Sequence, residues 1–174
     1  MTASHAPDPT VATGWPKAVL PKGLQFAAIG GGTIALDALA GRAVLVVNTA
    51  SLCGLTPQLA ALQALDTQFR DRGLVVLAVP SGDFDQELAD DDAVKAFCDV
   101  TFGLTIPMTT ITPVLGAKAH PLYRWLADSA GFVPEWNFAK ALIGRDGTVA
   151  GTWDAALPPD SAPILAAIDA ALAR

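Results

Sequence analysis

The run AVLVVNT, Ala43 to Thr49, does most to limit what this chain can become. It carries no charge and is dominated by β-branched residues, the signature of a strand covered on both faces. A second such run, LVVLAV from Leu74 to Val79, is closed by Pro80. Between the two, Leu59, Leu62, Leu65 and Phe69 recur at spacings of three, three and four, the apolar stripe of a helix. Thr56 is the expected N-cap, Pro57 the first helical position, and Gly73 the close. Two buried strands joined by one helix make a right-handed βαβ unit with parallel strands.

The rest of the chain is read around that unit. Leu24 to Leu36 predicts a short hairpin turning at Gly30-Gly31-Gly32. The three glycines lack the spacing of a phosphate-binding loop, and no helix opens behind them. Asp90-Asp91-Asp92 precedes a helix with Val94, Phe97 and Phe102 on it. Carboxylates there stabilise the positive end of the helix, and no patterned ligand loop for a metal follows. Pro121 to Ala130 predicts another helix, Phe138 to Ile143 and Thr148 to Thr152 an antiparallel hairpin, and Pro163 to Leu172 a last helix. Residues 1–23, rich in Pro, Ala and Thr, read as a disordered tail, and 24–174 as one domain. Strand–helix–strand, then helix, then hairpin and helix is the order of a thioredoxin-like α/β fold. Its central mixed sheet is flanked by helices, here with an N-terminal β-hairpin.

Charge narrows the function classes. Eleven Lys and Arg against 17 Asp and Glu leave a formal charge of −6, without the basic footprint that nucleic acid demands. No stretch reaches the roughly 20 apolar residues of a membrane span, and no basic start with an apolar core marks a secretory signal. A cytoplasmic setting is expected. The two cysteines, Cys53 and Cys98, are no disulfide framework, and His5 and His120 show no metal-ligand spacing.

Cys53 falls in the loop between a central strand's C-terminal end and the next helix, where sites collect in open α/β sheets. Backbone N–H groups at a helix start favour an anion, and the thiolate is the reactive form of cysteine. A buried inert cysteine is the competing reading, but Ala50-Ser51-Leu52-Cys53-Gly54 is small and polar rather than a core run. Thr56 stands where a CxxC motif would place a second cysteine, so thioredoxin-type disulfide exchange is disfavoured. A single thiolate suits attack on a peroxide, with a sulfenic acid as product.

VVNTASLCGLTPQ, Val46 to Gln58, resembles the active-site segment of the glutathione peroxidase family, in which cysteine or selenocysteine precedes a GxTPQ-like turn. GLVVLAVPSGDFDQE, Gly73 to Glu87, resembles the second family block, close to VLAFPCNQFGxQE, and WNFAKALIGRDG, Trp136 to Gly147, the third, WNFxKFLIxxxG. FCDVTFGLTIPM and AHPLYRWL resemble segments of bacterial members. The resemblance spans about residues 24 to 155 in family order and implies a thioredoxin-like fold. It also implies a thiol-dependent peroxidase acting on H2O2 or organic hydroperoxides in the response to oxidative stress. Cys53 takes the peroxidatic position, Trp136 that of an indole N–H donor to the sulfur, and Asn137 that of the neighbouring amide.

Two positions depart from the family. Asp83 stands where members carry glutamine; an amide can donate to a thiolate, whereas an ionised carboxylate only accepts. A similar PSNDF block occurs in bacterial relatives, so Asp83 stays among the catalytic candidates. Cys98 lies near the resolving position of two-cysteine members, one residue off, and is read as a packed helix cysteine or a resolving thiol. Ser81 replaces the cysteine of PCNQF. No bound cofactor or metal is implied, only an external thiol reductant, glutathione or thioredoxin. Arg70, Lys118, Arg124 and Lys140 are cations that could meet an anionic thiol, but they are scattered and most read as surface charges. The short 129–135 connection lacks the insertion of tetrameric members, implying a monomer or weak dimer. A non-catalytic peroxide sensor that oxidises a partner protein is the alternative function. A peroxiredoxin is disfavoured, since PxxxTxxC is missing before Cys53.

Overall fold

The structure, a computed structural model, describes residues 18–174. Its elements are β1 (Gln25–Ala27), β2 (Thr33–Ala35), β3 (Ala43–Thr49), α1 (Gln58–Phe69), β4 (Leu74–Pro80), α2 (Asp91–Phe102), α3 (Pro121–Ala130), β5 (Lys140–Ile143), β6 (Val149–Trp153) and α4 (Ala162–Leu172). The main sheet runs β4-β3-β5-β6, with β3 and β4 parallel and β5 and β6 antiparallel to their neighbours. The expected N-terminal hairpin is present as β1 and β2, with Phe26 opposite Ile34.

Every residue of β3 and β4 is buried, and the period of two sorts them between two apolar layers. Ala43, Leu45 and Val47 with Leu74, Val76 and Ala78 face α1, α2 and α4, meeting Leu62, Val94 and Ile168. Val44, Val46, Val75, Leu77 and Val79 face α3 and the hairpin, meeting Leu122, Leu126 and Phe26. The sheet is therefore the middle of three layers, and the ends of its strands are what remain open to solvent.

Two local readings shift. Thr56 does not cap α1, because a turn over residues 54–57 precedes it and Pro57 occupies the N-cap position without a side-chain bond. Asp90 does cap α2, its side chain accepting from Ala93 N at 2.8 Å, while Asp91 accepts from Ile111 N at 2.7 Å. The acidic run thus serves the helix start and its contact with the next loop. Of the expected tail, residues 1–17 lie outside the described residues. The next six run along the domain, with Leu20 N donating to Gly147 O at 2.8 Å and Gly23 N to Asp37 at 3.0 Å.

Candidate active site

The site is assembled where β3 ends. The chain leaves Thr49 into a turn, and Cys53 there is a free thiol, 8% exposed. Its sulfur accepts the Leu55 N–H at 3.3 Å, its own N–H donates to Thr56 Oγ1 at 3.1 Å, and Thr56 Oγ1 donates to Ala50 O at 2.8 Å. The Thr56 hydroxyl, spent on both flanks of the cysteine, therefore cannot cap the helix. The N–H aimed at the sulfur comes from the turn rather than from α1.

A second segment holds this loop from outside. Leu52 N donates to Gln86 O at 2.9 Å, and Ser51 N to Glu87 Oε1 at 3.0 Å, the same oxygen taking Leu88 N at 2.8 Å. Burial raises the Glu87 carboxyl above its ordinary range, against the pull of those N–H groups. Gln86 also reaches the third segment, its Oε1 accepting from Asn137 Nδ2 at 3.1 Å. Asn137 is fully buried and its Oδ1 has no partner, so the amide has capacity left for a ligand. Next to it Trp136 is 40% exposed, its ring tilted against Phe84 at 5.4 Å. Cys53 and Asn137 are thus joined through residues 86–87, with no direct hydrogen bond between them among the described residues.

Asp83 makes no hydrogen bond to Cys53, Trp136 or Asn137 among the described residues. Its Oδ2 accepts from Val114 N at 2.6 Å and Leu115 N at 2.9 Å, tying the loop after β4 to the approach to α3. Asp83→Ala is accordingly expected to cost about 1 kcal/mol of stability, as a partly exposed charge-assisted bond. The rate of Cys53 oxidation should stay within about threefold of wild type, a change worth under 1 kcal/mol of barrier. Urea unfolding and stopped-flow peroxide oxidation check the two halves.

Cys98 is buried on α2 in the same apolar layer as Cys53. Burial, reinforced by the Glu87 and Asp99 carboxylates, pushes its thiol up to about 11, so it is protonated and a poor nucleophile where it stands. Lys140 is not a surface charge: it is fully buried, and burial brings its ammonium down to about 8 against the pull of Asp154. Arg70, at the C-terminal end of α1, is engaged by Asp66 one turn before it. Gln86, Glu87 and the clamping role of Thr56 escaped the sequence reading. The QE pair closing the second block was their one visible signal.

Residues 23–127 match the family model described as glutathione peroxidase. The chain belongs to the glutathione peroxidase family. It is a thiol-dependent peroxidase, an oxidoreductase acting on peroxide. It is 39% identical over 149 residues to the hydroperoxy fatty acid reductase gpx1 of Synechocystis, an alignment covering 79% of this chain and 88% of that protein. The thioredoxin/glutathione peroxidase BtuE of Escherichia coli is 34% identical, with 84% and 93% covered. A thioredoxin family protein from Chlorobium tepidum superposes with a TM-score of 0.69 over 90% of this chain and 97% of its own, at 17% identity, which bears out the thioredoxin-like fold. As in the family generally, the substrates are a peroxide and a reducing thiol. Among the described residues no helix is long and apolar enough to cross a membrane, and no group of three or more His, Cys, Asp or Glu could hold a metal ion.

Proposed function

We propose that Cys53 is the peroxidatic cysteine and that it works through a sulfenic acid, as part of a response to oxidative stress. The Cys53 thiolate attacks one oxygen of the hydroperoxide, so that an S–O bond forms and the O–O bond breaks. The leaving oxygen takes a proton and departs as water or alcohol. A reducing thiol then displaces hydroxide from sulfur, giving water and a mixed disulfide, and a second thiol releases Cys53 and the oxidised reductant. The observation that carries this reading is the free Cys53 thiol accepting Leu55 N–H in a loop pinned by Thr56 and residues 86–87. Asn137 and Trp136 are given the donor roles toward sulfur and peroxide, and Asp83 a supporting role in holding the loop after β4. Cys98, protonated and packed, favours a one-cysteine cycle over an internal disulfide.

The surroundings favour bulky apolar hydroperoxides beside H2O2. Val133 stands exposed beside Trp136 in a cleft of about 490 Å³ that opens against Phe132, Trp136 and Trp153. Glu135 and Asp154 add negative charge to that cleft, and no cation lines it among the described residues. An anionic tripeptide such as glutathione is repelled there, so a thioredoxin-type protein dithiol is the favoured reductant. The chain is proposed to act in the cytoplasm as a monomer or weak dimer, for which the short 129–135 connection speaks. The test is steady-state turnover with cumene hydroperoxide under a thioredoxin system and, separately, glutathione. Turnover with thioredoxin at least about tenfold faster than with glutathione is expected, the equivalent of one tenfold step in barrier. Oxidation by one equivalent of peroxide with no turnover under either reductant would replace the enzyme by the sensor.

A further inference from the structure

Two fully buried polar side chains outside these catalytic assignments, Asn48 and Lys140, converge on the turn that carries Trp136 and Asn137. Asn48, on β3, donates from Nδ2 to Trp136 O at 2.9 Å, and its backbone carbonyl accepts Phe138 N at 2.6 Å. Lys140, on β5, donates from Nζ to Phe138 O at 2.6 Å and to Ala155 O at 3.4 Å. The peptide groups on both sides of Asn137 are thereby fixed. Phe138 between them has φ 71°, a left-handed conformation that an aromatic residue keeps only when its surroundings enforce it. Its ring is wholly buried, so the turn is strained and anchored at one place. The Ala155 carbonyl also accepts Gln58 Nε2 at 3.0 Å, which extends the network to the first turn of α1 behind Cys53.

A buried ammonium is costly, and an apolar side chain in its place would avoid the cost of desolvating it. Burial does lower the Lys140 ammonium, with Asp154 as the opposing charge. We infer that Asn48 and Lys140 are positioning residues of the peroxidase reaction. Together they hold the left-handed turn at Phe138 so that Asn137 and Trp136 meet the sulfur and the incoming peroxide. The inference rests on the roles proposed for Asn137 and Trp136, and the experiment separates its failure from theirs.

The experiment is a double-mutant cycle read by stopped-flow oxidation of Cys53 with H2O2. Asn48→Ala and Lys140→Met are each made in the wild-type and Asn137→Ala backgrounds, with circular dichroism confirming the fold. Asn48→Ala keeps the backbone bond to Phe138 and removes the donor to Trp136 O together with a buried Oδ1 that has no partner among the described residues. Each variant is expected to slow oxidation about tenfold in wild type and no more than about threefold once Asn137 is gone, because only Trp136 is then left to position. Equal slowing in both backgrounds, or none in wild type, would overturn the inference. If either substitution prevents folding, Asn48→Ser, which shortens the donor, carries the cycle with the same two outcomes. An Asn137→Ala protein that is oxidised at the wild-type rate would instead remove the role of Asn137, and the inference with it.

Discussion

Cys53→Ser is expected to abolish peroxide consumption, lowering turnover by roughly 10³-fold or more, the scale on which losing a nucleophile acts. Every other part of the loop survives this substitution. Thr56 still bridges Cys53 N and Ala50 O, Leu55 N–H still points at the side chain, and Ser51 and Leu52 stay bonded to Glu87 and Gln86. What is lost is a sulfur that can form the S–O bond, since a serine hydroxyl does not ionise near neutral pH. The measurement is peroxide loss in a coupled assay, with a thermal melt beside it. A variant that melts like wild type and consumes nothing assigns the defect to chemistry. One that still turns over at a tenth of the wild-type rate would move the nucleophile away from Cys53.

Asn137→Ala is the second large effect, a slowing of Cys53 oxidation by about 10²-fold, as for removal of a preorganised donor. The side chain is fully buried, has one described bond to Gln86, and carries an oxygen with no partner. Leaving a buried polar atom unmade costs about 1–3 kcal/mol, and alanine removes that penalty together with the Gln86 bond. The two changes oppose each other, so stability should move little while the rate collapses. Stopped-flow kinetics and urea unfolding together decide the point. Lost stability with an unchanged rate would make Asn137 a packing residue.

How much of this was legible beforehand differs between fold and site. The βαβ unit was readable because β3 and β4 are apolar on both faces and α1 carries a clean stripe, all local patterns. The start of α1 was misplaced because Thr56 has the chemistry of a cap, and only the folded loop reveals that its hydroxyl is already used. Cys53 could be singled out from its place after a buried strand. Trp136 and Asn137 could not, since on their own they look like a core aromatic and a turn residue, and only the family resemblance raised them. Gln86 and Glu87 act across 51 and 36 positions of chain, a separation at which no local pattern exists. Lys140 belongs to a set of cations of which most are expected at the surface, where lysine almost always lies. Its strand, buried at all four positions, contradicts that expectation, and this shows only when β5 is seen between β3 and β6. The left-handed Phe138 had no glycine to announce it.

Cys53 is proposed as the one sulfur that takes the oxygen from peroxide. This role is tested most directly by treating the reduced protein with one equivalent of H2O2 in the presence of a sulfenic-acid trap and locating the adduct by peptide mass spectrometry. The trapped adduct is expected on Cys53 alone, with Cys98 recovered as a free thiol. An adduct on Cys98 with Cys53 unmodified would contradict it.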